Sequence, residues 1–71
     1  MIEWNETPES SNVARFGYEE TSYTLTVEFK NGSIYDYYDV SVSVYESMKN
    51  ASSKGKFLAQ EIKGNFRYAR Q

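Results

Sequence analysis

The sequence predicts a small α+β fold, in which a short antiparallel sheet carries two short helices on one face. Three observations support this class. An apolar–polar alternation over residues 22–30 ends at Asn31-Gly32, the strongest short-range signal for a β-hairpin. Two segments with helical spacing follow, over residues 43–50 and 53–64. An aromatic–basic alternation over residues 65–71 closes the chain, and it either adds an edge strand or crosses the helices. The expected order is therefore β-β-β-α-α, with three strands, or four if the last segment joins the sheet.

The composition excludes several kinds of chemistry. The chain has 71 residues, the length of one domain, and it contains no Cys and no His. Disulfides, thiolate nucleophiles and the usual zinc ligands are therefore missing. A base that works near neutral pH would have to be a shifted carboxylate or a lysine. Asp36 and Asp39 lie three residues apart, so on a strand they point to opposite faces. We therefore expect a non-catalytic protein that needs no metal and no cofactor.

Aromatic residues are expected to stabilise the fold in place of disulfides and bound metals. Seven Tyr, four Phe and one Trp make up 17% of the chain, and each buried ring removes a large area from water.

No apolar stretch approaches the ~20 residues that a membrane span needs. The first residues lack the basic start and apolar run of a signal peptide. The expected location is therefore the cytoplasm, with no membrane partner.

Charge is distributed unevenly along the chain. Residues 54–71 contain five Lys or Arg against Glu61 alone, whereas residues 1–53 contain three Lys or Arg against nine acidic residues. If folding places the C-terminal segment on one face, that face is basic. The net charge of −2 argues against a strongly basic nucleic-acid binder on bulk charge alone.

The N-terminal part of the chain predicts an arm and a first strand. Pro8 and the polar residues that follow it predict a loose arm over residues 1–10, ahead of a single domain over residues 11–71. Trp4 within this arm either covers an edge of the core or contacts a partner. An alternation over residues 13–18 predicts the first strand.

One carboxylate decides the predicted register of the hairpin. A two-residue loop would pair Val27 with Asp36 and would place the carboxylate in the middle of the apolar face. A three-residue loop over residues 30–32 pairs Val27 with Tyr35 and directs Asp36 to water. Burying an unpaired carboxylate is costly, so the second register is predicted, with Tyr35 and Tyr37 on the core side.

Two helix signals follow the hairpin. Ser43 opens a capping box, and the first helix is expected to end near Asn50. Ser52 or Ser53 caps the second helix, and Gly64 ends it. Each helix is too short to persist alone, so both are expected to dock on the sheet. The predicted core consists of Phe16, Leu25, Val27, Phe29, Tyr35, Tyr37, Val40, Val44, Met48, Phe57, Leu58, Ile62 and Phe66.

The start of the second helix is a candidate anion site. Ser53-Lys54-Gly55-Lys56 combines free backbone N–H groups, a glycine that permits close approach and two positive charges, which together favour a phosphate. The segment is not a Walker A loop, because the upstream glycine and the Lys-Ser/Thr ending are missing. The structural alternative is that Ser53 caps the helix, Gly55 packs closely on the sheet, and both lysines are solvated.

The C-terminal segment and the tyrosines form a second candidate site. Lys63, Arg67 and Arg70 are interleaved with aromatic residues, and phosphate contacts from such cations would give salt-dependent binding. An exposed tyrosine beside them would stack on a base. The predicted register leaves Tyr38 and Tyr68 as the candidates for stacking. The structural alternatives are a solvated tail and tyrosines that belong to the core.

Several stretches of the sequence resemble one known family. They are Thr24-Leu25-Thr26-Val27-Glu28-Phe29-Lys30-Asn31-Gly32, Tyr35-Asp36-Tyr37, Asp39-Val40, Val44-Tyr45, Ala51-Ser52-Ser53-Lys54-Gly55-Lys56-Phe57, and Ile62 with Arg67-Tyr68. They resemble the KTSC domain, which is named for its place at the C-terminus of some lysyl-tRNA synthetases and also occurs as a free-standing small protein in bacteria and phages. The resemblance covers about residues 11–70, and Ser41 stands where the family often has a proline. It implies RNA binding only by association with a tRNA enzyme.

Two functions follow as hypotheses. The first is a nucleic-acid-binding module for RNA or another single strand, in which the cations from Lys54 to Arg70 contact phosphates and Tyr38 or Tyr68 stacks on a base. The second is a protein-interaction adaptor or inhibitor, of a kind that phages carry, whose acidic surface contacts a basic protein partner. The acidic residues in question are Glu3, Glu6, Glu9, Glu19 and Glu20. A monomer, or a weak homodimer joined through an edge strand, is expected.

Overall fold

The computed structural model describes residues 3–71 and shows a five-stranded antiparallel sheet in the order β1-β2-β3-β4-β5. The strands are β1 (Glu3–Glu6), β2 (Val13–Glu19), β3 (Thr24–Phe29), β4 (Ile34–Tyr37) and β5 (Tyr68–Arg70). Between β4 and β5 the chain forms α1 (Val42–Asn50) and α2 (Lys54–Phe57), and α2 continues into a π-helical turn over Leu58–Ile62. The α+β class is confirmed, and the last segment is an edge strand.

The strand β1 corrects the prediction of a loose N-terminal arm. Glu3–Glu6 pairs antiparallel with β2 and places Asn5 opposite Phe16. Just beyond β1, the hydroxyl of the buried Thr7 donates to the carbonyl of Val13 at 2.7 Å. The side chains of β1 are mostly exposed, so this edge strand lacks the apolar alternation from which a half-buried strand is predicted. The expected three or four strands are therefore five, and the first two residues of the predicted arm lie outside the described part of the chain.

The hairpin between β3 and β4 has the predicted register. Val27 pairs with Tyr35, and Gly32 adopts a left-handed φ of 93° in the loop over residues 30–32. Asp36 pairs with Thr26 on the opposite face of the sheet, where its carboxylate accepts a hydrogen bond from the threonine hydroxyl at 2.6 Å. The carboxylate therefore lies away from the apolar core, which is the physical reason for this register.

A bulge in β2 adds a residue to the predicted core. The pairing with β3 shifts by one residue between Val13 and Arg15, so Ala14 is the extra residue of a β-bulge. Strict alternation would direct Val13 and Phe16 to opposite faces. With the bulge, both side chains are fully buried on the helix side of the sheet.

The first helix begins earlier than predicted. Ser41, rather than Ser43, is the N-cap, and its hydroxyl accepts an N–H hydrogen bond from the first turn at 3.4 Å. Val40 determines this start, because its side chain is fully buried and its N–H donates to the carbonyl of Tyr23 at 2.9 Å. The chain therefore turns into α1 directly after Val40. The helix ends at Asn50, as predicted.

The second helix has one of its two predicted caps and the predicted end. Ser53 accepts an N–H hydrogen bond from the first turn at 3.3 Å. The π-helical turn then closes with a 2.8 Å hydrogen bond from the N–H of Lys63 to the carbonyl of Leu58, the five-residue spacing of a π-helix. Leu58 and Ile62 are both fully buried. Gly64 follows with a left-handed φ of 84°.

The core lies between the helices and one face of the sheet. Tyr45 of α1 stacks on Tyr18 of β2, with ring centroids 4.6 Å apart. These two tyrosines and Val13 are additions to the predicted core. The buried apolar residues are Val13, Phe16, Tyr18, Leu25, Val27, Tyr37, Val40, Tyr45, Met48, Leu58 and Ile62. The predicted core residues that are only partly buried at its margin are Phe29, Tyr35, Val44, Phe57 and Phe66.

Candidate functional site

A groove of about 890 Å³ opens on the helix side of the sheet, between the β3–β4 hairpin and the segment that follows the π-helical turn. Its size falls in the ~300–1,000 Å³ range of ligand sites. None of the described residues that line it is acidic. The aromatic and basic residues that line it are Phe29, Tyr35, Tyr37, Tyr68, Lys30 and Lys63.

Three tyrosines form one wall of this groove. Tyr68 of β5 pairs with Tyr37 of β4 across the sheet, and its ring centroid lies 5.8 Å from the rings of both Tyr37 and Tyr35. Tyr37 is buried, and this burial, with smaller contributions from Tyr35 and Tyr68, raises its pKa above the ordinary tyrosine value. Tyr68 in contrast is 60% exposed. The two inner tyrosines thus support an outer ring that is open to a planar partner.

Lys63 contributes a positive charge that makes no ion pair in residues 3–71. Its Nζ lies 5.5 Å from the centroid of the Phe29 ring, and the side chain is exposed. A cation–π contact at an exposed site contributes only ~0.5–1 kcal/mol. Within the described chain the ammonium makes no ion pair and no hydrogen bond. It is therefore available to an anion at the groove.

Two more cations border the groove. Arg70 donates from Nη2 to the hydroxyl of Ser33, a lining residue, at 3.1 Å. Lys30 lines the groove and donates from Nζ to the carbonyl of Pro8 at 3.2 Å. Sequence reasoning predicted a role for Arg70 and Lys63 but missed Lys30. The predicted hairpin register could have indicated Lys30. It begins the loop at the end of β3, the strand that pairs with the tyrosine-bearing strand β4.

The segment from Ser53 to Lys56 borders the groove without lining it. Lys54 donates from Nζ to a backbone carbonyl three residues earlier at 2.7 Å, which offsets the cost of a cation in the first turn of a helix. A Cβ at Gly55 would lie 2.5 Å from Oδ1 of Asn12, which lines the groove. Gly55 thus permits close packing against the loop before β2. Ser53 caps the helix and Lys56 is exposed, as in the structural alternative, whereas Lys54 is half-buried rather than solvated. Anion binding here stays a prediction.

Arg67 and Tyr38 lie outside the groove and contact each other. The guanidinium of Arg67 lies 5.8 Å from the centroid of the Tyr38 ring. The N–H of Tyr38 donates to the carbonyl of Arg67 at 2.8 Å. Arg67 also pairs with Asp39 at 3.1 Å, with both side chains more than three-quarters exposed. The five C-terminal cations therefore do not form one patch, and only Lys63 and Arg70 meet at the groove.

The structure also bears on metal and membrane binding. In residues 3–71, no three acidic side chains are placed to hold a metal ion together. None of the helices in this range has the length and apolarity to cross a membrane.

Residues 9–66 match the KTSC domain family. The chain belongs to this family. A crystal structure of a KTSC domain protein from Yersinia pestis superposes on the whole chain with a TM-score of 0.90 and 26% sequence identity, and the match covers 99% of that protein. The resemblance deduced from the hairpin and helix motifs is therefore confirmed, and so is the fold.

The KTSC domain described here is related to the C-terminal region of cyanobacterial lysine–tRNA ligases. It is 46% identical to the ligase of Trichormus variabilis and 48% identical to that of a Nostoc species, over 61 residues in each case. These matches cover 86% of the chain but only 11% of each ligase. A protein of Tsukamurella paurometabola is 34% identical, and that match covers 83% of this chain and 88% of the relative. The domain thus resembles both a part of a large enzyme and a small protein.

Proposed function

We propose that this KTSC domain is a non-catalytic module that binds single-stranded nucleic acid, with RNA as the natural target. The observation that carries the proposal is the position of Tyr68 and Lys63 on one groove. An open aromatic ring and a free ammonium group are the two features that a nucleotide needs, one for its base and one for its phosphate.

The residues of the groove supply the energy for such binding. Stacking of a base on an exposed aromatic ring contributes ~1–3 kcal/mol. Lys63, Lys30 and Arg70 supply charge for the phosphates, and no lining residue among those described is acidic. Because the net charge of the chain is −2, long-range attraction is weak and most of the binding energy comes from contacts at the groove. We therefore expect modest affinity with a clear dependence on salt.

The relatives support RNA as the target. The cyanobacterial relatives are named lysine–tRNA ligases, and this domain matches 11% of their length. A domain joined to an enzyme that acts on tRNA is well placed to contact RNA. This support is an association between proteins, and it adds to the geometry of the groove without replacing it.

A salt titration tests the proposal. The affinity of a labelled single-stranded RNA oligomer, measured by fluorescence anisotropy, should fall linearly with salt on logarithmic axes. Lys63→Ala should weaken binding and reduce the slope by about 0.7, the value for one phosphate contact on a single strand. Lys49→Ala is the matched control, because it removes the same charge from a lysine that lies against Glu3 and Glu46 instead. Absence of binding even at ~50 mM salt would overturn the proposal.

A protein-interaction role is the second candidate, and one observation favours it. Trp4 on the edge strand β1 is 37% exposed, with the guanidinium of Arg15 4.1 Å from its ring. Glu6 and Glu9, which follow in the chain, are exposed, while Glu3 is engaged with Tyr45 and Lys49. A protein partner that is recovered with the wild-type domain after nuclease treatment, and lost with Trp4→Ala, would support this candidate. A partner that disappears with nuclease would support RNA binding.

A further inference from the structure

We infer that the bound strand continues from the groove around the edge strand β5 to a second aromatic–cation unit, formed by Tyr38 and Arg67. The footprint is then at least two nucleotides, and only a flexible single strand can occupy it. This inference rests on the proposed function and specifies the form of nucleic acid that the domain takes.

The ladder between β4 and β5 places the two units side by side. Tyr37 pairs with Tyr68, and the next step of the ladder is the hydrogen bond from the N–H of Tyr38 to the carbonyl of Arg67. Successive residues of a strand point to opposite faces. Tyr68 therefore faces the groove, and Arg67 faces the other side of the sheet. Adjacent Cα atoms are ~3.8 Å apart, so a bound strand has to cross only the edge of the sheet to pass from Tyr68 to Arg67.

The contacts of Arg67 leave it able to bind a phosphate. Its partner Asp39 is 76% exposed and Arg67 itself is 79% exposed, and such surface ion pairs contribute little to stability. Exchange of Asp39 for a phosphate is therefore inexpensive, and a guanidinium binds phosphate with two parallel hydrogen bonds. Asp36 also lies on this face beside β5, and its carboxylate is engaged by Thr26 and by Gln71 at 2.6 and 2.7 Å.

The geometry also separates a single strand from a duplex. The two units lie on opposite sides of β5, which has three residues, so the ligand must turn sharply at the sheet edge. A duplex has a persistence length of ~150 base pairs and cannot turn in this way. A single strand can, and its bases are free to stack on exposed side chains.

The test compares single-stranded and duplex ligands of different lengths for binding to the wild-type protein and to variants with a substitution at an exposed residue. A uridine mononucleotide, single-stranded RNA oligomers of two and about six nucleotides, and a duplex of the same sequence compete with a labelled strand. Arg67→Gln should weaken binding of the six-nucleotide strand at least about fivefold, a loss equal to the smallest contribution expected of one stacked base. The same substitution should leave mononucleotide binding unchanged. Tyr68→Leu should weaken both. The duplex should bind worse than the strand to the wild-type protein.

Arg15→Gln is the matched control, because Arg15 also pairs with a carboxylate, that of Glu28 at 2.8 Å, and also lies over an aromatic ring. It is on β2, away from β5, and its loss should leave every affinity unchanged. Equal binding of strand and duplex, or an effect of Tyr68→Leu without any effect of Arg67→Gln, would overturn the inference and leave the groove as the nucleic-acid site. If the wild-type protein binds none of these ligands, the proposed function fails together with the inference.

Discussion

Tyr45 and Asn5, forty residues apart in the chain, are joined by a hydrogen bond of 2.8 Å from the amide Nδ2 to the tyrosine oxygen. Tyr45 is only 4% exposed, and its hydroxyl donates in turn to Glu3 at 3.0 Å. One buried side chain of α1 thus holds the edge strand β1 at two positions. This contact explains how a polar strand is retained in the sheet without an apolar face of its own.

Removal of this hydroxyl should destabilise the domain. Tyr45→Phe keeps the ring but loses the bonds to Asn5 and Glu3, at about 0.5–1.5 kcal/mol for each hydrogen bond. We expect the free energy of unfolding, measured by urea denaturation, to fall by about 1–3 kcal/mol. Tyr23→Phe is the matched control, because Tyr23 is 54% exposed and its loss should stay within about 0.5 kcal/mol. Equal effects of the two substitutions would contradict the role given to Tyr45.

Tyr68 should matter more for binding than for stability. Tyr68→Ala removes an exposed ring, so we expect a loss of only about 1 kcal/mol of stability, in the range of aromatic pair contacts. The same change should lower RNA affinity by about 1–3 kcal/mol, the contribution of one stacked base. Tyr37→Ala, in the buried ring behind it, should instead cost about 3–5 kcal/mol of stability. Denaturation and anisotropy on the same samples separate the two effects, and full RNA affinity in Tyr68→Ala would speak against the groove.

Leu58 should be among the most sensitive positions for folding. Its side chain is fully buried at the start of the π-helical turn, and a Leu→Ala change in a core costs about 2–5 kcal/mol. A domain of this length has roughly 3–10 kcal/mol of stability in total. We therefore expect Leu58→Ala to be largely or partly unfolded by circular dichroism. Gln60→Ala, at an exposed position of the same turn, should change stability by less than about 0.5 kcal/mol.

The buried tyrosines should make the fold sensitive to alkali. Burial is the main cause that raises the pKa of Tyr18, Tyr37 and Tyr45. A phenol whose folded pKa is raised releases its proton more readily when the chain is unfolded. Stability is therefore fully present below about pH 10, the ordinary tyrosine pKa, and declines as pH rises from there through the raised folded values. Urea denaturation at increasing pH, with tyrosinate absorbance recorded in parallel, should show late titration of these rings. Constant stability above the ordinary tyrosine pKa would contradict this expectation.

Particular residues show which predictions a sequence of this size supports. Asp36 defines the hairpin register, because its charge forbids one of only two pairings. Ser43 misleads, because the capping box is a local pattern, whereas the burial of Val40 places the N-cap of α1 at Ser41. The pattern of strict alternation fails at Val13, where a bulge at Ala14 changes the face of the strand.

The sequence by itself determined the α+β class, the order of hairpin and helices, the pairing of Tyr35 and Tyr37 with β3, the excess of cations after residue 53 and the family. These properties depend on residues a few positions apart, where periodicity, turn residues and charge act locally. Only the tertiary structure decided that Glu3–Glu6 joins the sheet, and that Lys63 meets Phe29 and the tyrosine wall while Arg67 lies on the other side of β5. Such neighbours are separated by tens of residues, and their meeting depends on how the sheet edge and the helix end pack together.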